Sequence, residues 1–353
     1  MKNSVGIIPV FVSHMGCPND CVFCNQRKIN GVDDAISPNE LEAFVQSYLE
    51  TMKRDQIELA FFGGSFTGIE KVRQDAYLSV ASDLKQRGLV DKIRLSTRPD
   101  YVDEKVIKTL IKYKVDLVEL GCQSFDDQVL IVSKRGHSSS VVAEAVTRLK
   151  IAGIEVGIQL MLGLPGDNFE KFRSSVAETV RLAPSCVRLY PALVIKDTEL
   201  EAIYLNGMYK PLTVDDAMLW CAWALNELNH HHIPVIRMGL QRTDLIDFDS
   251  AVIAGPFHPA FGELVLSKVF KNKVEAWLKN NIQKVNNFKC ISIWTHPSQL
   301  SMMIGQNKIN LKSFFDMLSI GHKQMVIKSN LEVDYNTVWI AIDDHITKIT
   351  IMN

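Results

Sequence analysis

Three cysteines, Cys17, Cys21 and Cys24, stand in a C-x3-C-x2-C spacing with Phe23 directly before the last of them. Three thiolates that close together on one loop can hold three irons of a cubane cluster. Iron–sulfur electron carriers use four cysteine ligands, so here the fourth iron would stay open to bind and activate a molecule. His14 leaves a second chemistry open, because with the three cysteines it would complete a four-ligand zinc knuckle. Zinc knuckles pair their ligands across a longer loop, and this spacing does not have that form. Seven cysteines in 353 residues are too sparse for a disulfide-stapled fold.

Whatever these thiols hold must be positioned by regular elements, and the first two-thirds of the chain alternates β-branched runs with amphipathic ones. Strands are expected at Val5–Val12, Ile57–Phe62, Lys92–Ser96, Val115–Leu120, Glu155–Leu162 and Ser185–Tyr190. Helices are expected between them at Pro38–Lys53 (capped by Ser37), Lys71–Arg87, Asp103–Lys112, Ser139–Ala152 and Asn168–Leu182. Six β/α units in series predict an incomplete (β/α)8 barrel, a partial (β/α)6 TIM-like fold, with chemistry on loops at the C-terminal strand ends. The unusual residues fall on those loops: the cysteines after strand one, Gly63–Gly68 after two, Thr97–Asp100 after three, Gly121–Ser124 after four, Gly163–Gly166 after five and Tyr190–Ala192 after six.

With these loops in view, FFGGSFTG, STRPDYV, VELGCQSFDDQVL, SKRGH, GIQLMLGLPGD and VRLYPALVIKDTELEAIY resemble the radical S-adenosylmethionine (SAM) superfamily. Within it they are similar to the radical SAM domain of the Elongator catalytic subunit and its short prokaryotic relatives, over about residues 5–265. The resemblance implies a [4Fe–4S] cluster on Cys17, Cys21 and Cys24, whose open iron chelates SAM and whose electron cleaves it to a 5′-deoxyadenosyl radical. Elongator's subunit has a longer gap between its first two cysteines and an acetyltransferase domain, so its acetyl-dependent uridine modification is not carried over.

The same resemblance implies roles for single residues. Gly63, Gly64 and Ser65 would receive the SAM amino group, their missing side chains letting backbone carbonyls approach closely; a plain strand-to-helix turn is the alternative. Phe23 would shield the cluster and lie near adenine, in a pocket lined by Leu164 and Pro165, with Gln159 and Met161 on one face of strand five. Glu119 and Gln123, on alternating positions of strand four, would meet the SAM ribose or the substrate, with a catalytic role implied, or else form a buried network. Arg98 and Arg135 are candidates for the SAM carboxylate or a substrate anion, since guanidinium binds carboxylate bidentately; structural ion pairs would account for them equally. Cys122 reads as an inert buried thiol.

Apolar content of 47% and charged content of 22% fit an ordinary globular protein. No apolar run reaches the ~20 residues of a membrane span. The N-terminus reads as a first strand, not a signal peptide, and a cytoplasmic setting is expected. Net charge is −1, yet residues 271–330 carry nine lysines against Glu275 and Asp316. From about Lys289 the pattern reads strand, helix, turn, helix, strand, strand, with the turn at Gly305–Lys308. This α+β order is similar to a KH RNA-binding core, in which a G-x-x-G loop clamps a nucleic-acid backbone. Here Lys308 replaces the second glycine, and Lys312 adds charge one turn on. The expected division is 1–235 for the radical SAM barrel, 236–285 for a covering extension and 286–353 for the KH-like domain. The reading that follows is a radical SAM enzyme acting on tRNA or other structured RNA, reduced by an external donor such as flavodoxin or ferredoxin. Two alternatives stay open: oxidation of a small molecule in the manner of coproporphyrinogen oxidase, and a non-enzymatic zinc-containing RNA-binding adaptor.

Overall fold

Strands of a parallel sheet bury both faces, and the chain supplies the apolar side chains for this. The computed structural model describes residues 5–12, 15–17, 21–25, 36–240, 251–282, 289–318, 324–343 and 345–352. The strands β1 (Val5–Phe11), β2 (Gln56–Phe62), β3 (Lys92–Thr97), β4 (Leu117–Gln123), β5 (Glu155–Leu162) and β6 (Cys186–Pro191) lie side by side in chain order. β7 (Val194–Ile195) leaves this row to pair with β9 (Val252–Ala254), and β8 (Val235–Met238) joins it beside β6. All neighbours in the seven-stranded sheet are parallel, with Val5 opposite Gln56 and Phe11 opposite Phe62 in the first pair. The half-barrel expected from six units thus has a seventh strand. Its four residues follow Ile233 and Pro234 directly, too short a run to register as a period-2 signal.

The crossovers carry α1 (Leu41–Leu49), α2 (Lys71–Gln86), α3 (Glu104–Lys112), α4 (Asp127–Val132), α5 (Ser139–Ile151), α6 (Phe169–Leu182) and then α7 (Glu199–Leu205). Side chains alternate along each strand. One set, including Ile8, Leu59, Phe61, Ile93, Leu95, Val118, Leu120, Ile158 and Leu189, is fully buried. Phe61 lies 5.7 Å from the ring of Tyr77 on α2, which places this set against the helices. Each such side chain contributes about 1.5–3 kcal/mol on burial. The other set, with Glu58, Arg94, Glu119, Gln159 and Arg188, lines the inner face. Asp103, Asp126, Asn168 and Thr198 accept from the first-turn amides of α3, α4, α6 and α7, the orphan donors of helix N-termini. α1 begins later than Pro38: Glu40 turns back to accept from Ser37 N at 3.0 Å and Ser37 Oγ at 2.6 Å, so the segment before Leu41 is a turn.

The chain clusters into two compact units, 1–213 with 233–257, and 214–232 with 258–353. Within the span 236–285 expected as one extension, β9 therefore falls in the first unit and α9 (Phe261–Ile282) in the second, beside α8 (Val214–His230). The second unit also holds β10 (Ile291–Thr295), α10 (Leu300–Ile304), α11 (Ile309–Leu318), β11 (Met325–Ser329), β12 (Thr337–Ile342) and β13 (His345–Thr350). Its sheet runs β11-β10-β12-β13, parallel in the first pair and antiparallel in the other two. The expected β-α-α-β-β order is present with one further strand, β13. Buried Asn310 fixes the helices here, donating to Ser267 Oγ at 2.9 Å and to Met302 O at 3.1 Å.

Candidate active site

The cysteine loop is held main chain against main chain. After β1, Ser65 N donates to Met15 O at 3.2 Å, Cys24 N to Cys21 O at 2.9 Å, and Leu200 N to Val22 O at 2.7 Å. A Cβ on Gly64 would overlap the carbonyl oxygens of Val12 and Met15, and one on Gly16 would overlap Ser65 and Gly68 backbone. The glycines expected to admit a ligand thus admit the cysteine loop itself. Gly63 supplies the left-handed turn, at φ +84°, that starts this contact. Cys21 is buried and Cys17 and Cys24 are half-buried; His14 lies outside the described residues.

Around this loop runs a chain of buried hydrogen bonds. Ser65 Oγ accepts from Arg98 N at 3.1 Å. Arg98 donates from Nη2 to Arg135 O at 2.5 Å and from Nε to Asp100 Oδ1 at 3.0 Å. Arg135 donates from Nη2 to Gly121 O at 2.5 Å and from Nη1 to Cys21 Sγ at 3.0 Å. Both guanidiniums are nearly shut from solvent, at 3% and 6% exposure. Even so, among the described residues Arg98 Nη1 and Arg135 Nε have no acceptor, and Gln123 Oε1 is buried without a donor. Burial, and then Arg135 alongside, holds the His137 imidazole down to about 4, so it is neutral at physiological pH.

Gln123 does not follow the alternation expected of it. β4 has a bulge between Gly121 and Gln123, and Gln123 takes φ +72° opposite Leu160. The extra residue, Cys122, re-aims the side chain, which folds over Gly121 beside Arg135. Cys122 itself is fully buried, and burial pushes its thiol up, away from reactivity.

Glu119 lies instead on the inner face of the sheet. Its Oε1 accepts from Arg94 Nη2 at 2.6 Å and from Arg188 Nη2 at 2.9 Å, and its Oε2 faces Arg188 Nε. Arg94 also donates to Glu58 Oε2 at 2.5 Å, and Gln159 Nε2 approaches Glu119 Oε2 at 3.4 Å. Arg188 lies over the Phe62 ring at 4.9 Å and reaches the Tyr190 hydroxyl at 3.2 Å. Glu119 is thus held in a buried hydrogen-bond network, with Gln159 beside it. Glu58, Arg94, Arg188 and Tyr190 were not anticipated in it. A charged residue at an alternate position of an otherwise apolar parallel strand is the signal that marks them.

Several of the apolar side chains named for the adenine pocket lie together. Phe23 and Met161 pack against a buried cluster of Val129, Leu164 and Ala192, and Pro165 is buried beside Leu164. The loop of Leu164 is closed by Asp167, whose Oδ2 accepts from Gly163 N at 2.9 Å, and by Tyr209, which donates to Gly163 O at 2.6 Å. Burial pushes the Asp167 carboxyl up to about 6. In the second unit Gly305, Asn307 and Lys308 take φ of +79°, +52° and +60°. Lys308 thus holds the backbone shape its missing glycine would favour, and it and Lys312 are exposed.

Whether a cluster and SAM fit can be judged from these groups. Three thiols on one loop, a guanidinium N–H on one sulfur, and unpaired buried N–H groups suit an anionic cluster with a carboxylate-bearing ligand. Among the described residues no three His, Cys, Asp or Glu side chains converge as ligands of a single ion do. Thiolates on separate irons need not converge so tightly.

The profile of the radical SAM superfamily matches residues 12–178, and that of the radical SAM C-terminal domain matches 184–271. A tRNA uridine(34) acetyltransferase of Methanocaldococcus infernus is 29% identical over 258 residues, covering 61% of this chain and 48% of the relative. Elongator complex protein 3 of Homo sapiens is 23% identical, with the same two coverages. The chain therefore spans about half the length of these curated relatives. The solved structure of M. infernus Elp3 lacking its N-terminus (1–46) superposes with a TM-score of 0.61 at 25% identity, covering 77% of this chain and 64% of that one.

Proposed function

This chain belongs to the radical SAM superfamily of enzymes, and on that premise we propose that it takes hydrogen from a nucleotide of structured RNA, tRNA being the favoured class. When bound, a [4Fe–4S] cluster with SAM supplies reductive cleavage of the sulfonium to a 5′-deoxyadenosyl radical. The chain's own residues bind, orient and exclude water. Cys17, Cys21 and Cys24 would hold the cluster, and Arg135 fixes the Cys21 sulfur. Arg98 Nη1, which has no acceptor among the described residues, would take the SAM carboxylate. Ser65 and the adjoining glycine backbone would take its amino group, and Gln123 Oε1 a ribose hydroxyl. Phe23, Met161, Leu164 and Pro165 give the adenine an apolar wall.

The observation that carries the reading is the Arg135 N–H on Cys21 Sγ within a loop that glycines lock to its neighbour. The RNA half rests on the names of the relatives and on the lysine-rich tail. An external one-electron donor is required, and no helix among the described residues is long and apolar enough to cross a membrane. The test is anaerobic reconstitution with iron and sulfide, then dithionite and SAM, with and without bulk tRNA. The wild type should form 5′-deoxyadenosine, and alanine at Cys17, Cys21 or Cys24 should abolish both acid-labile sulfide and product. Zinc without iron in anaerobically prepared protein would overturn the cluster. A deoxyadenosine yield and an RNA composition that tRNA leaves unchanged would remove the RNA substrate.

A further inference from the structure

The register of the second unit's sheet lines up four side chains in one row, one from each strand. Lys328 on β11 is opposite Trp294 on β10, Trp294 is opposite Trp339 on β12, and Trp339 is opposite Lys348 on β13. Strand neighbours two apart share a face, so Val326, Ser292, Ala341 and Ile346 form the next row on that face. The opposite face carries Ile291, Ile293, Val338 and Ile340, all fully buried. The Lys–Trp–Trp–Lys row is therefore on the side away from that core. Trp294 and Trp339 are half-buried, and Lys328 and Lys348 are exposed.

Chemistry narrows what such a row takes. Two indoles side by side across a strand pair give a flat π surface, and a lysine at each end gives positive charge within reach of it. None of the four strands carries an aspartate or glutamate. Lys348 Nζ rests 4.5 Å from the Trp339 ring centroid, so this ring already receives a cation. The Trp339 Nε1–H is shut from solvent without an acceptor among the described residues. A ligand with flat rings spaced by anionic groups meets all of these features at once, and unpaired nucleotides are that ligand.

We propose that the Trp294–Trp339 face, flanked by Lys328 and Lys348, is a base-stacking platform for single-stranded RNA. It is separate from the Gly305–Lys308 loop, and it deepens the RNA reading, on which it rests. Two adjacent unpaired bases stack on the indoles; Lys348 leaves the Trp339 ring for a phosphate, and Lys328 takes the phosphate on the other side.

The test is fluorescence anisotropy of the full chain with a short fluorescein-labelled oligouridine and with bulk tRNA, across a series of KCl concentrations. Trp294→Ala and Trp339→Ala should each weaken oligouridine binding roughly ten- to hundredfold, whereas Trp339→Phe, which keeps a stacking ring, should stay within about threefold of wild type. Lys328→Gln with Lys348→Gln alters only exposed positions and leaves the fold intact; it should reduce the log–log salt slope by about 1.4. Oligouridine binding that is unchanged in Trp294→Ala and in Trp339→Ala overturns the platform. So does equal loss with polyglutamate, which would mark a general anion surface. If tRNA binds all variants as it binds wild type, only the platform falls; if wild type binds neither RNA, the platform and the RNA substrate fall together. Deoxyadenosine formation from SAM and dithionite without RNA reports on the cluster separately and should be unmoved by these substitutions.

Discussion

Two pairs of buried arginines sit in the first unit, and they are balanced differently. Arg94 and Arg188 face two carboxylates, Glu58 and Glu119, so these four charges balance, and Arg188 Nε, which makes no hydrogen bond among the described residues, still lies against Glu119 Oε2. Arg98 pairs with one carboxylate, Asp100, and otherwise leans on a backbone carbonyl, while Arg135 leans on a backbone carbonyl and a thiol. Among the described residues they keep spare buried N–H groups. A closed set of charges is what a fold needs to stay together. An open set, beside three cysteines, is what a site needs to receive an anion.

The comparison breaks first at Glu119. Glu119→Ala should leave two buried guanidiniums without their shared acceptor and cost about 3–5 kcal/mol, read as a lower urea midpoint with little change in slope. If stability held and only the SAM concentration dependence moved, Glu119 would belong to the site and the contrast would be lost. Arg135→Lys tests the open pair. It should leave iron and sulfide loading intact but remove the hydrogen bond to Cys21, making cluster reduction about tenfold less favourable, or ~59 mV for one electron. A midpoint potential equal to wild type by spectroelectrochemical titration would show that the contact does not survive cluster binding.

The third effect concerns Asp167, which is buried with backbone amides and not arginine. Its carboxyl is pushed up to about 6 in the folded chain, so the folded state holds the proton more tightly than the unfolded one does. Stability from this group is fully present below about pH 4 and is lost as pH rises through about 6, by on the order of 3 kcal/mol. Asp167→Asn should flatten that part of the pH–stability curve. An unaltered curve would place the titration elsewhere.

Much of this was legible in the chain. β-Branched runs separated by amphipathic ones gave the parallel strands, and the unusual loops all fell at their C-terminal ends. What could not be read has local causes. A single extra residue at Cys122 reverses the face on which Gln123 stands, and no periodicity announces a bulge. The partners of Glu119 could not be read, because Arg94 and Arg188 lie 25 and 69 positions away. Gly64 signalled a close approach, but not what approaches; the answer was the cysteine loop. The seventh strand and β13 are short or largely polar, and neither carries an apolar alternation long enough to stand out.

At positions 16, 64 and 68 the two turns share a groove one main chain wide. Even a methyl group at 64 would wedge them apart and swing the sulfurs off their bearings while every thiol remained. The molecule could then be disarmed without losing a single atom proposed to touch iron, and damage of that kind would look, by composition alone, like no damage at all.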